Sequence, residues 1–192
     1  MHRLVYFFTV LAAILILQSC ALLNSTDRLW DGDTPFFNRT TIVYGVDVDV
    51  EGRWRLTDVH WKYRTFGISV DEYDIEKQKI TGNCWRYNHA QAIVSVDVPM
   101  PQYFAFDVPA GYYVQGAFNS PKVEPSIAFA APKGRVVYIG TFVYSKNRTL
   151  ELNRDLEKAK NQIYSALPRL PKNIELADTV PVKPPYGFLC GP

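Results

Sequence analysis

The sequence carries little excess charge of either sign, since 21 basic and 19 acidic side chains leave a net charge of +2 over 192 residues. This balance excludes a strongly polybasic or polyacidic protein, so bulk charge gives no argument for nucleic-acid binding. Methionine is scarce, with two residues against twelve Tyr and eleven Phe, and this aromatic composition favours β-structure. A hydrophobic content of 47% is sufficient for a packed core, and the length suggests one domain.

Recognisable catalytic motifs are missing from the sequence. It contains no Gly-rich phosphate loop, no G-x-S-x-G elbow and no H-E-x-x-H pair. Cys84 and His89 lie too close in sequence for a cysteine hydrolase, whose base usually comes from a distant segment. Asp47, Asp49 and Glu51 resemble the start of a calcium loop, but the valines between them suit a strand better. We therefore predict a protein without catalytic activity, cofactor or metal site.

The longest apolar run is too short to span a bilayer. Residues 4–17 are apolar except for Thr9, and a helix of this length covers about 21 Å of the roughly 30 Å hydrocarbon core. Arg3 and the chain amine supply a weakly positive start, so the pattern is typical of an export signal. An uncleaved membrane anchor is the alternative, because residues 21–23 could extend the run.

The end of this run resembles the lipobox of bacterial lipoproteins. In Leu17-Gln18-Ser19-Cys20, an aliphatic residue lies three positions before the cysteine and a small residue directly before it. The resemblance implies that residues 1–19 are a signal peptide and that Cys20 carries the lipid. Because Ala21 follows instead of Asp, it also implies an outer-membrane protein that faces the periplasm. Ordinary signal peptidase cleavage after Ala21 is the alternative.

The three cysteines can be assigned once export is assumed, since the compartment outside the cytosol is oxidising. With Cys20 lipidated, Cys84 and Cys190 remain, and the simplest pairing joins them in a disulfide. The chain-entropy model predicts that a disulfide closing a loop of this length stabilises the fold by at most about 4.7 kcal/mol. Two separate free thiols are the alternative.

Three N-x-S/T sequons, at Asn24, Asn38 and Asn147, argue against a bacterial origin. They would be glycan sites in a eukaryotic secreted protein. Chance alone supplies such sequons at this content of Asn, Ser and Thr, and in a bacterial lipoprotein they carry no meaning.

Short alternating segments separated by turns predict a β-sandwich. Residues 46–50 are expected to pair with the strand that begins at Trp54. Two further hairpins are predicted across the Pro-x-Gly loops at 109–111 and 132–134, because Pro presets the first turn position and Gly takes the left-handed one. With additional strands at 59–65 and 93–98, and with the hairpin strand from Arg135 extended to Tyr144, we predict about seven antiparallel strands.

One helix is predicted near the C-terminus, from about Arg154 to Leu167. Asn153 can cap its start, and Pro168 ends it. Six of the thirteen prolines lie at or after Pro168, so the tail is too Pro-rich for a helix or a central strand. The helix should face the sandwich with an apolar stripe of Leu152, Leu156, Ala159, Ile163 and Leu167.

These patterns divide the chain into four parts. Residues 1–19 are the signal peptide, and residues 20–35 are expected to be a tether because they show neither helical nor strand periodicity. Residues 36–149 form the predicted sandwich domain. Residues 150–192 supply the C-terminal helix and the Pro-rich tail, which are expected to pack on the same domain.

Two segments also resemble small exported bacterial lipoproteins with a transthyretin-like or immunoglobulin-like sandwich. In these proteins a V-P-x-G-x-Y hairpin is followed by a G-x-x-Y-I-G strand, and here FDVPAGYY at 106–113 precedes GRVVYIGTF at 134–142. The likeness covers roughly residues 100–145 and the helix that follows. It implies the fold and an envelope location, and it supplies no active site, because these families are largely uncharacterised.

The function predicted from these features is that of a membrane-anchored lipoprotein whose sandwich is a structural or protein-interaction module. Its expected partners are the membrane, through the lipid, and an envelope protein. The alternative is a module that binds glycan or peptidoglycan through exposed aromatic rings, with Trp61 and Trp85 as the candidate stacking residues.

Overall fold

The chain folds into two β-sheets that pack face to face, with a helix on the outside of one sheet. The computed structural model describes residues 25–30, 38–48, 65–83, 86–95, 97–117, 121–145 and 149–187. Within these residues there are twelve strands and one helix. The predicted fold class, a mainly β sandwich with one C-terminal helix, is confirmed, although the strands are more numerous than predicted.

The first sheet, sheet A, is mixed. It consists of β1 (Asp27–Leu29), β2 (Thr40–Val48), β6 (Gln102–Val108), β9 (Val136–Tyr144), β10 (Leu150–Asn153) and β11 (Glu175–Leu176). The strand order is β1-β6-β2-β9-β10, and β11 lies beside the first half of β9. β9 runs parallel to both β2 and β11, whereas the other pairs are antiparallel. The prediction of a purely antiparallel sandwich is therefore wrong at the centre of this sheet.

The second sheet, sheet B, is antiparallel throughout. Its order is β12-β8-β7-β3-β4, with β5 beside the first part of β3. β5 shows the period of two that a half-buried strand requires, because Ala90, Ala92 and Val94 face the core and the side chains between them, including Ile93, are exposed. The strands are β3 (Thr65–Asp74), β4 (Lys79–Ile80), β5 (His89–Ser95), β7 (Gly111–Gln115), β8 (Ile127–Ala131) and β12 (Thr179–Pro181).

The core between the sheets is built around the buried ring of Tyr44. This ring stacks on Phe106, with ring centroids 5.6 Å apart, and meets Phe142 edge-on at 5.9 Å. Its hydroxyl donates to the carbonyl of Ala90 at 2.9 Å, in the opposite sheet. The aromatic content of the sequence is thus used to fill the space between the sheets, and the polar end of the ring is satisfied.

The two predicted Pro-x-Gly hairpins are wrong, because each of these segments carries the chain from one sheet to the other. β6 lies in sheet A and β7 in sheet B, whereas β8 lies in sheet B and β9 in sheet A. The residues flanking each loop are mostly buried on both faces. Their apolar pattern therefore does not show whether the next strand pairs in the same sheet or lies in the opposite sheet. Gly134 has a φ of +72°, as predicted, but Gly111 is simply the first residue of β7.

The predicted tether contains a strand. β1 pairs with β6 from Asp27 to Leu29, and Leu29 is buried in the apolar cluster under the helix. The sandwich therefore begins before residue 36. A three-residue strand at a sheet edge is too short to show a period in the sequence, which explains why this segment was predicted to be a tether.

The helix, α1 (Leu156–Ala166), confirms the predicted element with a different cap. The side chain of Asp155, two residues beyond the predicted Asn153, accepts the backbone N–H of Lys158 at 3.0 Å. Asn153 is instead the last residue of β10. The first residue of the predicted apolar stripe, Leu152, lies in β10 and not in the helix.

α1 covers the outer face of sheet A. Its buried Ala159 and Ile163 pack with Val43 and Tyr138 of the sheet. Tyr103 donates its hydroxyl to Gln162 of the helix at 3.0 Å. Because β2 and β9 are covered on both faces, their sequences are almost continuously apolar rather than alternating.

Several predicted elements lie partly or wholly outside the described residues. The loop and second strand of the hairpin predicted after 46–50 fall there, and so does most of the strand predicted at 59–65. The strand predicted at 93–98 is β5, which begins earlier and ends at Ser95. The strand predicted from Arg135 is β9 and ends at Tyr144, as expected.

One end of the sandwich is held by a buried ion pair between Arg39 and Asp107. Asp107 is fully buried, and the Arg39 guanidinium donates both to its carboxylate and to the carbonyl of Ser25, ahead of β1. Thr40 contacts the carbonyls of Ala131 and Pro132 through its hydroxyl, at 3.0 and 2.7 Å. These two adjacent residues therefore join β2 to β6, to the residues before β1 and to the crossing after β8.

We expect Arg39→Met to lower the free energy of unfolding by about 3 kcal/mol, because it leaves a buried carboxylate without its cation. Urea denaturation measures the change. The matched control is Lys77→Met, which removes the exposed ion pair with Asp74 and should lower the free energy of unfolding far less, because solvent screens that pair. The double variant Arg39→Met/Asp107→Asn should recover part of the loss. Equal effects of the two single Met substitutions would contradict a structural role for the buried pair.

Candidate functional site

The residues to which the sequence assigned roles all lie outside the described part of the chain. They are Cys20 for lipidation, Cys84 and Cys190 for the disulfide, and Trp61 and Trp85 for ring stacking. Their roles stay predictions. The site must therefore be sought among residues that the sequence did not single out.

No helix within the described ranges is sufficiently long and apolar to cross a bilayer. In the same part of the chain, His, Cys, Asp and Glu do not gather in a group of three or more that could hold a metal ion. A small cavity beside Gln115, Val123 and Phe142 has room for about one water molecule. This cavity is too small for an organic substrate.

A buried carboxylate, Asp71, is the centre of a polar cluster on the outer face of sheet B. Asp71 lies on β3 directly opposite His89 on β5, and Ser69 precedes it on the same face. One of its carboxylate oxygens accepts the backbone N–H of Ala117 at 3.2 Å. Its other oxygen, Oδ1, is buried without a hydrogen-bond partner among the described residues.

The chain after β7 closes over this carboxylate at Gly116. A methyl group added at Gly116 would lie 2.1 Å from the Ser69 hydroxyl and 3.1 Å from both oxygens of Asp71. Only glycine allows the backbone to come this close. The Lys122 ammonium donates to the carbonyl of Gly116, so this lysine fastens the same turn. We call Ser69, Asp71, His89 and Lys122 the Asp71 cluster.

Burial governs the ionisation of the Asp71 cluster. It raises the pKa of the Asp71 carboxyl above its usual value, and the Ala117 N–H, Ser69, His89 and Lys122 oppose the rise only in part. Burial likewise lowers the pKa of the Lys122 ammonium, which the charge of Asp71 partly restores. Because Asp71 is buried beneath Gly116 and Ala117, the cluster offers no access to a substrate.

A second feature is an exposed apolar surface at one side of the sandwich. Trp30 follows β1 and is 64% exposed, Ile93 on β5 is 59% exposed, and Val98 in the loop after β5 is 48% exposed. The Arg28 guanidinium lies between two rings, 3.9 Å from the centroid of Trp30 and 4.9 Å from that of the buried Phe104. We call Trp30, Ile93 and Val98 the β1–β5 surface.

The Asp71 cluster and the β1–β5 surface correspond to different patterns in the sequence. The segment around Ser69 and Asp71 alternates polar with apolar residues, which is the ordinary pattern of a strand with one solvent face. Period alone therefore could not show that Asp71 is covered. Trp30 stood in a segment without period, and only the pairing of β1 with β6 places it on the sandwich.

No protein-family model, curated protein or solved structure matches the chain.

We expect Asp71→Asn to stabilise the protein at pH 7 and to have a smaller effect near pH 4. Because the folded state raises the pKa of Asp71, its stabilising contribution is complete below the ordinary aspartate pKa and is lost as the pH rises through the raised value. The asparagine stays neutral at both pH values. Urea denaturation of both proteins at each pH measures the difference.

Asp97→Asn, a change at an exposed aspartate, is the matched control for the loss of one negative charge. If Asp71→Asn were equally destabilising at both pH values, the carboxylate would act through its hydrogen bonds rather than through its charge.

Proposed function

We propose that this chain is a membrane-anchored lipoprotein of the bacterial envelope, lipidated at Cys20, whose sandwich binds another envelope protein without catalysis. The location rests on the apolar run and the lipobox-like sequence that ends at Cys20. The resemblance of residues 100–145 to exported sandwich lipoproteins points the same way.

The proposed mode of action rests on one contrast. Segments of the chain itself pack on the outer faces of both sheets, whereas the edge strands have one unpaired side among the described strands. α1 covers the outer face of sheet A. On the outer face of sheet B, the tail after β12 packs through Val182, and the Tyr73 hydroxyl donates to the carbonyl of Lys183 at 3.1 Å. The chain thus occupies much of both faces with its own segments, so the strand edges are the better candidates for a partner.

Each sheet ends in an edge strand, β10 in sheet A and β12 in sheet B, at the opposite end of its strand order from β1 and β4. Among the described strands, β10 pairs only with β9, and β12 pairs only with β8. We call this pair of strands the β10–β12 edge. Leu176, on β11 at the same side of sheet A, is 42% exposed. An edge strand offers backbone N–H and C=O groups to a strand of a partner, and a nearby apolar side chain adds contact area.

The surroundings of two buried carboxylates support a structural rather than a catalytic role for them. Asp107 is paired with Arg39, and Asp71 is held by the Ala117 N–H and the neighbouring Ser69. Asp107 stabilises the connection between β2 and β6 through Arg39, whereas the ionised form of Asp71 is disfavoured by its burial. Neither lies in a cleft that a substrate could enter.

We expect Cys20→Ala to abolish lipidation and release the protein from the membrane fraction when it is produced in a diderm bacterium. Mass spectrometry of the N-terminal peptide should show acyl chains on Cys20 of the wild type and none on the variant. Cys84→Ala is the matched control, because it removes a thiol without touching the lipobox. Unchanged processing and fractionation of Cys20→Ala would refute the proposed anchor.

A second test concerns the partner. A photoreactive amino acid at Leu176 should cross-link one reproducible envelope protein, and the same group at Lys160, on the outer side of α1, should not. Retention on purified peptidoglycan that is lost in Trp61→Ala or Trp85→Ala would instead favour the glycan-binding alternative. Identical cross-links from positions 176 and 160, without retention on the polymer, would leave neither binding mode supported.

A further inference from the structure

We propose that the β1–β5 surface lies against the lipid bilayer, with the ring of Trp30 in the interfacial region. This inference rests on the proposed lipidation of Cys20 and adds an orientation to it. The occupant is the bilayer that holds the lipid, rather than a second protein.

The first argument is the short reach of the chain between the proposed lipid and the fold. Ser25 comes five residues after Cys20, so the two are at most about 18 Å apart at full extension. Asp27, where β1 begins, comes only seven residues after Cys20. The body of the protein therefore cannot move far from the bilayer if acyl chains on Cys20 are inserted in it.

The second argument is that Ser25 and Thr26, the two residues directly before β1, are hydrogen-bonded to the fold. The Ser25 backbone N–H donates to the side chain of Asn88 at 2.8 Å, and the Thr26 hydroxyl donates to the carbonyl of His89 at 2.5 Å. Arg39 donates to the Ser25 carbonyl. The end nearest Cys20 is thus attached to both sheets at the β1 and β5 side.

The third argument is that the exposed apolar residues lie on this same side. β1 is an edge of sheet A and β5 is at the edge of sheet B, and the contacts of Ser25 and Thr26 bring the two edges together. Trp30, Ile93 and Val98 are three of the five large apolar side chains that are exposed among the described residues. The other two, Leu176 on β11 and Tyr186 in the tail, are not on these edges.

The chemistry of the surface fits the interface of a bilayer. A tryptophan ring prefers the headgroup level, and an arginine beside it can keep its charge in water while its stem contacts apolar groups. The charges beside the surface are of both signs, since Arg28 lies at the Trp30 ring and Asp27 and Asp97 are exposed. Contact should therefore depend on apolar burial and not on anionic lipid, because one arginine among two aspartates is not the basic cluster that a negative surface attracts.

The test uses the full mature, lipidated protein in phosphatidylcholine vesicles that contain brominated acyl chains. Bromine quenches tryptophan fluorescence at short range, so the wild type should be quenched and Trp30→Phe should lose most of that quenching. In the Trp30→Phe background, Ile93→Trp should restore the quenching, whereas Leu176→Trp should not. Replacing one third of the lipid with phosphatidylglycerol should leave the result unchanged.

Two outcomes would overturn the inference. One is equal quenching of the wild type and Trp30→Phe, and the other is restoration by Leu176→Trp as strong as that by Ile93→Trp. Mass spectrometry of the same samples separates this failure from that of the proposed function, since an acylated Cys20 without Trp30 quenching refutes only the orientation. An unacylated N-terminus removes both. Protection of Trp30 in native membranes but not in vesicles would assign the surface to a protein partner instead.

Discussion

The ion pair between Arg39 and Asp107 is the contact on which the connectivity of this sandwich depends. β2 occupies the middle of sheet A, and Arg39 stands just before it. From there, Arg39 binds Asp107 on β6 and the carbonyl of Ser25, while its own carbonyl accepts the N–H of Gly134. The guanidinium thus ties the residues before the first strand to the centre of sheet A, and the backbone carbonyl of Arg39 adds the crossing from β8 to β9. A buried carboxylate without that cation would carry a large desolvation cost. This cost disfavours any strand arrangement that buries Asp107 but separates it from Arg39.

The same region explains which parts of the fold could be predicted from the sequence. Composition and strand-like patterns identified a mainly β protein, and the 3.6-residue stripe together with Pro168 identified α1. The pairing of strands could not be obtained in the same way. β6 and β9 are buried on both faces, so their apolar runs fit a hairpin and a crossing between sheets equally well. Gly134 adopted the expected left-handed φ, which shows that turn chemistry fixes local conformation without fixing which sheet the next strand joins.

The candidate sites were still less accessible to sequence reasoning. Asp71 occupies a polar position in an alternating strand, and a solvent-exposed aspartate would give the same pattern. Its burial results from Gly116 and Lys122, about fifty residues later in the chain, which close over it. Trp30 likewise acquires its position only because Asp27–Leu29 pairs with β6. In both cases the informative contact joins residues far apart in the sequence, and the local hydrophobic periodicity does not reveal it.

The proposed anchor requires one side of the sandwich to face the bilayer, and the proposed partner surface requires another side to face the aqueous space. The strand order allows both. β1 and β10 are the first and last strands in the order of sheet A. At about 4.8 Å per strand, the two edges are separated by about 19 Å. α1 lies over the outer face of this sheet. With the β1–β5 surface against the bilayer, the β10–β12 edge would therefore point into the aqueous space, where a strand from a partner could reach it. Because Ser25 and Thr26 are hydrogen-bonded to Asn88 and His89, this orientation would follow from the fold and would not require the partner to be present.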